Sequence, residues 1–272
     1  MNEPGGTEEP RIAGARRARS EVPHRIRRLV PNRLRRAAAL ALDATGIHPA
    51  WPEQWPEEGF VTYTSETPVA VTRALQRVKR RRAPGDYYEF GLFKGFTFWH
   101  AQQRAGKLGL DEMRFFGFDS FAGLPRPRGV DAESGEFREG QYAASQQEVR
   151  GHLDRHGVDW DRTFLVAGFY EPLLTPELRE RLDMKPAALV LIDCDLYEST
   201  VPVLGFMAQL LQEGTIVLMD DWNCFGASDQ MGERKAFGEF LREHQEWRAQ
   251  PWFSFGWHGQ AFLMRRTALR RQ

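Results

Sequence analysis

The stretch AALVLIDCDLYEST, residues 187–200, decides the fold of this 272-residue chain. Its first six residues are apolar, and a continuous apolar run of this length is typical of a strand buried on both faces, as in a parallel sheet. Asp193 and Asp195 follow directly, and the turn chemistry after them predicts a helix over about 200–212. The stretch therefore predicts a core strand, Ala188–Ile192, whose carboxyl end carries two acids.

A second apolar run, TIVLMDD at 215–221, ends in two more acids. If the two strands are neighbours, four carboxylates meet at the edge where open α/β folds bind ligands. Crowded carboxylates repel one another unless a proton or a cation lies between them, and hard cations such as Mg²⁺ prefer carboxylate oxygens. We therefore predict a metal site of Asp193, Asp220 and Asp221, with Asp195 free to accept a proton. The alternative is that these acids cap helices or pair with arginine.

Strands and helices alternate along most of the chain, which indicates a doubly wound, mostly parallel α/β sheet. Two short apolar segments near the end are separated only by GWHG, and this spacing predicts a final antiparallel hairpin and seven strands in all. The other predicted strands are 87–90, 114–118, 164–167, 216–219, 252–255 and 261–264, and the other predicted helices are 67–82, 97–107, 145–156, 176–182 and 233–244.

Residues 1–60 are expected to form an N-terminal arm before the α/β domain at 61–272. Between Arg11 and Arg36 there are ten arginines and one acid, and the apolar spacing of Arg33–Ala44 predicts a helix. We expect a disordered start followed by a basic helix that packs by its apolar side. Contact with lipid or nucleic acid, or cover over an active site, are the alternatives. The remaining chain is mildly acidic, which argues against a nucleic-acid-binding protein.

Cysteine content and hydropathy indicate the compartment. Cys194 and Cys224 are the two cysteines of the chain, too few for a disulfide framework, and they suggest a reducing environment. No apolar run approaches the roughly eighteen residues that a membrane span needs, and the acidic first residues lack the apolar core of a signal peptide. We therefore expect a cytoplasmic protein without a membrane span.

The first predicted strand leads into a helix through EFGLFKG, residues 89–95. Gly91 and Gly95 would let the main chain approach a ligand closely, and the helix N-terminus adds a partial positive charge. The spacing is not that of the dinucleotide fingerprint, and the chain has no phosphate-binding P-loop. Glu89 at the start of the turn favours a cofactor with a cationic group over one with a diphosphate.

The loops after the second and third strands complete the same edge. Asp119 and Ser120 follow the second strand, where an acid in a nucleotide-binding α/β fold accepts hydrogen bonds from ribose hydroxyls; a turn cap is the alternative. Gly168 and Phe169 follow the third strand. The segment 121–144 is long, without periodicity, and rich in proline, glycine and charge, so we predict a lid over the four aspartates.

These motifs, in this order and spacing, resemble the macrocin O-methyltransferase family, which includes magnesium-dependent sugar methyltransferases of macrolide and aminocoumarin antibiotic pathways. The likeness covers about residues 67–245, and DCDLYEST at 193–200 is its most specific element. It implies a Rossmann-like class I methyltransferase fold with S-adenosylmethionine in the 89–95 turn and on Asp119. It also implies a Mg²⁺ site of Asp193, Asp220 and Asp221, with Asp195 as general base.

The resemblance implies transfer of a methyl group to a hydroxyl of a small molecule, a sugar of a glycosylated natural product. The first motif departs from the family's usual form at 90, 92–94 and 96, and the WNCFG at 222–226 is also unusual, so the walls of the acceptor pocket differ. A phenol or catechol acceptor, and a non-catalytic partner protein with the same fold, remain the alternatives. A homodimer or higher homo-oligomer is expected.

Overall fold

The apolar runs of the sequence form one seven-stranded sheet in the computed structural model, which describes residues 66–82 and 84–267. The predicted N-terminal arm and its helix lie outside the described residues. The strands are β1 (Asp86–Phe90), β2 (Phe115–Asp119), β3 (Thr163–Ala167), β4 (Ala187–Ile192), β5 (Ile216–Met219), β6 (Trp247–Phe255) and β7 (Gly259–Arg266).

The strand order is β3-β2-β1-β4-β5-β7-β6. Strands β1 to β5 are mutually parallel, and β7 is antiparallel to both β5 and β6, so the predicted parallel sheet and its final hairpin are confirmed. The chain winds outward in opposite directions from β1 and β4. Ligands bind at this switch point in open α/β folds, beyond the carboxyl ends of the strands.

Eight helices flank the sheet in the described part of the chain. They are α1 (Glu66–Arg81), α2 (Phe96–Lys107), α3 (Gly129–Ala132), α4 (Gln146–Arg155), α5 (Tyr170–Leu173), α6 (Pro176–Arg181), α7 (Tyr197–Met207) and α8 (Gly232–Glu243), with two 3₁₀ turns at Trp160–Arg162 and Phe225–Ala227. The short helices α3 and α5 were not predicted, because one turn is too short to show a periodic pattern. None of the described helices has the length and apolar character of a membrane span.

Helix α7 begins three residues earlier and ends five residues earlier than predicted. Local signals placed its start at Thr200, but the first turn has no cap from a neighbouring side chain. The carboxylate of Asp131 instead accepts a hydrogen bond from the main-chain N–H of Tyr197. A cap that comes from a distant loop leaves no mark in the local sequence, so the prediction of the helix start was wrong.

The core lies on both faces of the sheet and holds the strand ends rigid. One face packs against α1, α2 and α4, and the other against α6, α7 and α8. All residues of β1, β2, β4 and β5 are buried. Phe90 stacks on Phe118 of the neighbouring strand at 4.7 Å between ring centroids. Each buried aromatic or aliphatic side chain contributes about 1.5–3 kcal/mol to the stability of the fold. The strand ends therefore hold the loops that follow them in defined positions.

Candidate functional site

Three aspartates converge where β4 and β5 end. Ile192 is paired with Met219 in the parallel register, so the residues that follow these two leave the sheet side by side. Asp193, Asp220 and Asp221 each offer one carboxylate oxygen, and these oxygens all lie within 4.8 Å of one another. The structure therefore brings together three of the four acids that were predicted to meet.

The chemistry of this cluster fits a hard divalent cation. Burial, and then the charges of Asp220 and Asp221, raise the pKa of Asp193 well above its usual value. Burial and the charge of Asp220 raise the pKa of Asp221 to about 7. In the described residues no lysine or arginine forms an ion pair with these acids, which argues against the alternative of arginine pairing. Mutual repulsion of this kind is relieved when a cation binds between the carboxylates.

Asp195 stands beside the cluster on a strained turn. Its φ of 60° lies in the left-handed region, which residues other than glycine rarely adopt. Its main-chain N–H donates to Oδ2 of Asp221 at 3.1 Å. Burial, and then the charge of Asp221, raise the pKa of its carboxyl group well above the usual value. A carboxylate of raised pKa next to the cluster suits the predicted role of proton acceptor.

Two residues whose contact with the cluster the sequence did not predict hold Asp220. The hydroxyl of Thr67 donates to Oδ1 at 2.7 Å. Nδ1 of His258 lies 2.7 Å from the carbonyl oxygen and 3.3 Å from Oδ2 of the same aspartate. Burial opposes protonation of His258, but the charge and hydrogen bonds of Asp220 outweigh it and raise the histidine pKa to about 9. The sequence places His258 only in the turn of the predicted hairpin, whereas the structure buries it against Asp220.

Glu233 lies directly behind Asp221 in the first turn of α8. It is 1% exposed, and its Oε2 accepts the main-chain N–H of Asp221 at 3.0 Å. Among the described residues, its Oε1 has no hydrogen-bond partner. Burial, and then the charge of Asp221, raise its pKa well above the usual value. No motif signals this residue, because its role depends on where α8 packs.

The segment 121–144, which was predicted to form a lid, is tied by hydrogen bonds to the loops that follow β4 and β5. Asp131 is 2% exposed, and its carboxylate accepts the first main-chain N–H groups of both α7 and α8. Glu136 accepts the N–H of Phe225 in the loop after β5, at 2.8 Å. The segment therefore fixes the starts of the two helices that follow Asp195 and Asp221.

The turn after β1 brings the main chain close to Asp193. Gly91 has a φ of 92°, and a Cβ at this position would lie 1.7 Å from the carbonyl oxygen of Asp193. Gly95 has a φ of 82° and immediately precedes α2. Both positions require glycine or a strained residue, and at Gly91 the missing side chain lets the main chain of the turn approach that of Asp193. A turn of this shape fits close approach of a cofactor.

Asp119 supports this turn from the end of β2. Its Oδ2 accepts the N–H groups of Leu92 and Phe93 at 2.7 and 3.1 Å, and its Oδ1 accepts the N–H of Phe121 at 2.7 Å. Asp119 therefore caps the turn, as the alternative prediction has it. A carboxylate has about four acceptor sites, so three amide donors leave room for one ribose hydroxyl.

The other predicted cofactor residues lie around the same edge. Glu89 is buried and accepts a hydrogen bond from the hydroxyl of Tyr87, and burial raises its pKa to about 8. The hydroxyl of Ser120 donates to a carbonyl in its own turn. The N–H of Gly168 donates to the carbonyl of Asp119, and Phe169 is 44% exposed. Their contact with a cofactor remains a prediction.

The chain is similar in sequence to known O-methyltransferases. Residues 16–247 match the model of the macrocin O-methyltransferase (TylF) family. A Streptomyces olivaceus protein, 8-demethyl-8-(2,3-dimethoxy-alpha-L-rhamnosyl)-tetracenomycin-C 4'-O-methyltransferase, is 29% identical over 180 residues, which are 58% of this chain and 66% of that protein. The aligned region thus spans just under two thirds of the relative.

Solved structures share the fold. The O-methyltransferase NovP superposes with a TM-score of 0.65 at 18% identity, over 74% of this chain and 81% of NovP. The calicheamicin methyltransferase CalS11 superposes with a TM-score of 0.56 at 22% identity, over 74% of this chain and 80% of CalS11. The seven-stranded sheet with its final antiparallel hairpin is therefore a class I methyltransferase fold.

Proposed function

The chain belongs to the macrocin O-methyltransferase family, and we propose that it transfers a methyl group from S-adenosylmethionine to a hydroxyl of a sugar in a glycosylated natural product, with the help of a divalent cation such as Mg²⁺. The observation that carries this proposal is the convergence of three carboxylate oxygens within 4.8 Å beside the glycine turn. The sugar 4'-O-methyltransferase named above supports the acceptor class.

The cofactor would occupy the loops after β1, β2 and β3. Gly91 and Gly95 allow its close approach to the main chain, and the last acceptor site of Asp119 suits a ribose hydroxyl. Glu89 lies in the strand that leads into the turn, and a bound sulfonium would favour its ionised form, whose negative charge would in turn stabilise the cation. When bound, S-adenosylmethionine supplies an electrophilic methyl group on a positively charged sulfur.

The aspartates would position and deprotonate the acceptor. Asp193, Asp220 and Asp221 would hold the cation, which when bound supplies positive charge that lowers the pKa of a neighbouring hydroxyl group. Asp195 takes the proton of that hydroxyl as the oxygen–carbon bond forms and the sulfur–carbon bond breaks. General-base assistance of this kind contributes roughly a hundredfold to ten-thousandfold in rate.

The test measures transfer of a labelled methyl group to a panel of sugar-bearing and catechol-type acceptors, with Mg²⁺ or with excess chelator. We expect Asp195→Asn to keep cofactor affinity by calorimetry and to lose turnover by the factor above. Asp221→Ala should lose turnover and its dependence on metal. Asp111→Asn, which changes an exposed acid outside the site, is the matched control.

Each part of the proposal has its own contrary outcome. Full activity in excess chelator would contradict the role of the cation. Methylation of catechols with all sugar acceptors inert would replace the proposed acceptor class. Absence of cofactor binding to the folded wild-type protein would contradict methyl transfer and favour the non-catalytic alternative.

A further inference from the structure

We propose that Thr67 and His258 are positioning residues that hold the carboxylate of Asp220 in one orientation and thereby set the affinity of the site for its divalent cation. This inference rests on the proposed function, and it adds two residues from distant parts of the chain to the three carboxylates.

The three acids are not held alike. Both carboxylate oxygens of Asp220 lie near a side-chain donor: Thr67 Oγ1 is 2.7 Å from Oδ1, and His258 Nδ1 is 3.3 Å from Oδ2. A carboxylate otherwise rotates freely about its last torsion, because that torsion has only a broad, two-fold preference. Each oxygen has two acceptor sites, so one donor on each fixes the group and leaves a site for the cation.

The donor on Oδ1 comes from a rigid helix. Thr67 is 2% exposed and lies in the first turn of α1, whose buried residues Ala70 and Val71 pack into the core over the sheet. Its hydroxyl is therefore held out of water, and in the described residues its acceptor is Asp220. The first turn of α1 is in this way connected to the ends of β4 and β5.

The donor near Oδ2 is locked in place by packing. His258 is 5% exposed in the β6–β7 turn, and its ring packs against those of Phe255 and Trp257 at 5.8 and 5.4 Å between centroids. Gly256 is required beside it, because a Cβ there would lie 2.6 Å from Nε2. Nδ1 carries the hydrogen, since both atoms of Asp220 that it faces are acceptors.

Residues that orient metal ligands in this way typically change metal affinity by about ten- to a hundredfold when they are replaced. Thr67→Val removes the hydroxyl at constant size, and Thr67→Ser restores it. His258→Phe removes the ring N–H, and His258→Asn offers an amide donor in its place. Thr72→Val is the matched control, because Thr72 lies on the same helix and its hydroxyl hydrogen-bonds His100 rather than the site.

The experiment measures Mn²⁺ affinity of each purified variant by electron paramagnetic resonance and calorimetry, without cofactor or acceptor. We expect Thr67→Val and His258→Phe to weaken Mn²⁺ binding by at least about tenfold. Thr67→Ser and Thr72→Val should stay near wild type. At saturating metal, the turnover of Thr67→Val should recover, because positioning acts on affinity and leaves Asp195 in place.

The outcomes separate this inference from the proposed function. Wild-type Mn²⁺ affinity in Thr67→Val overturns the positioning role and leaves the proposed function standing. Failure of the wild-type protein to bind Mn²⁺ overturns this inference and the proposed role of the cation, whereas methyl transfer is tested separately by cofactor binding. If His258→Phe does not fold, the Thr67 series decides alone, because valine fills nearly the same volume as threonine at this buried position.

Discussion

Replacing Gly91 with alanine tests how the fold constructs the site. The added Cβ would lie 1.7 Å from the carbonyl oxygen of Asp193, whereas real Cβ atoms essentially never come within 3.0 Å of such an atom. The ends of β1 and β4, which Gly91 and Asp193 follow, must therefore separate by at least about 1.3 Å. The positive φ of this position costs alanine a further 1–2 kcal/mol or so. We expect the free energy of unfolding to fall by about 2–4 kcal/mol.

The assays are urea unfolding, thermal unfolding and Mn²⁺ affinity. For a domain of this size, a loss of 1 kcal/mol lowers Tm by about 2–4 °C, so Gly91→Ala should melt roughly 5–15 °C below wild type. Because Asp193 moves with its carbonyl, Mn²⁺ affinity should fall as well. Gly205→Ala is the matched control: it lies inside α7, its Cβ would meet nothing within 4 Å, and it should gain about 0.5–1 kcal/mol.

One result would refute this reasoning. If Gly91→Ala unfolds at the wild-type urea concentration and binds Mn²⁺ as tightly as wild type, then close approach of the two turns does not position Asp193. A loss of stability with unchanged Mn²⁺ affinity would mean that Gly91 relieves strain but does not position Asp193 for metal binding.

Two further predictions concern buried acids. Burial raises the pKa of Glu89 from 4.5 to about 8, so the folded protein retains a proton that the unfolded chain releases, and metal-free wild type should lose stability as pH rises from about 5 through 8. Glu89→Gln should flatten that loss in urea unfolding; an unchanged slope would contradict it. Asp131→Ala leaves the first N–H groups of α7 and α8, of which that of Gly232 is buried, without their acceptor and should cost about 2–4 kcal/mol, with Asp131→Asn intermediate. Wild-type hydrogen exchange at Tyr197 and Gly232 in the alanine variant would argue against this role.

The sheet and the acidic cluster could be predicted because both follow from local patterns. A buried parallel strand is visible as an apolar run, and parallel strands end at one edge, so the acids after β4 and β5 had to meet if the strands were neighbours. The strand β6 is five residues longer than predicted, since a register shift between Pro251 and Phe253 interrupts the alternation by which a strand is recognised.

The residues that support the cluster could not be predicted, because their roles arise only in the folded chain. Thr67 lies 153 positions from Asp220, and Asp131 lies 66 positions from Tyr197. A single threonine, histidine or acid of this kind has no partner at helical or strand spacing, so it is indistinguishable in the sequence from a surface residue. Contacts between residues so far apart depend on how the elements pack, and a periodic pattern in the sequence does not show that packing.

The two edges of the sheet show why a cation is the expected ligand. At the amino edge, the buried Asp86 is paired with Arg114 by two side-chain hydrogen bonds, so its charge is balanced within the chain. At the carboxyl edge, the described residues place five acids close together, Asp193, Asp195, Asp220, Asp221 and Glu233, and His258 contacts Asp220 among them. Burying unbalanced carboxylates is costly, and the fold nevertheless fixes them with strained turns, a buried loop acid and a glycine that admits no side chain. Protonation relieves part of this cost, and a bound cation would relieve it while the acids stay ionised, so the arrangement supports the proposed divalent cation.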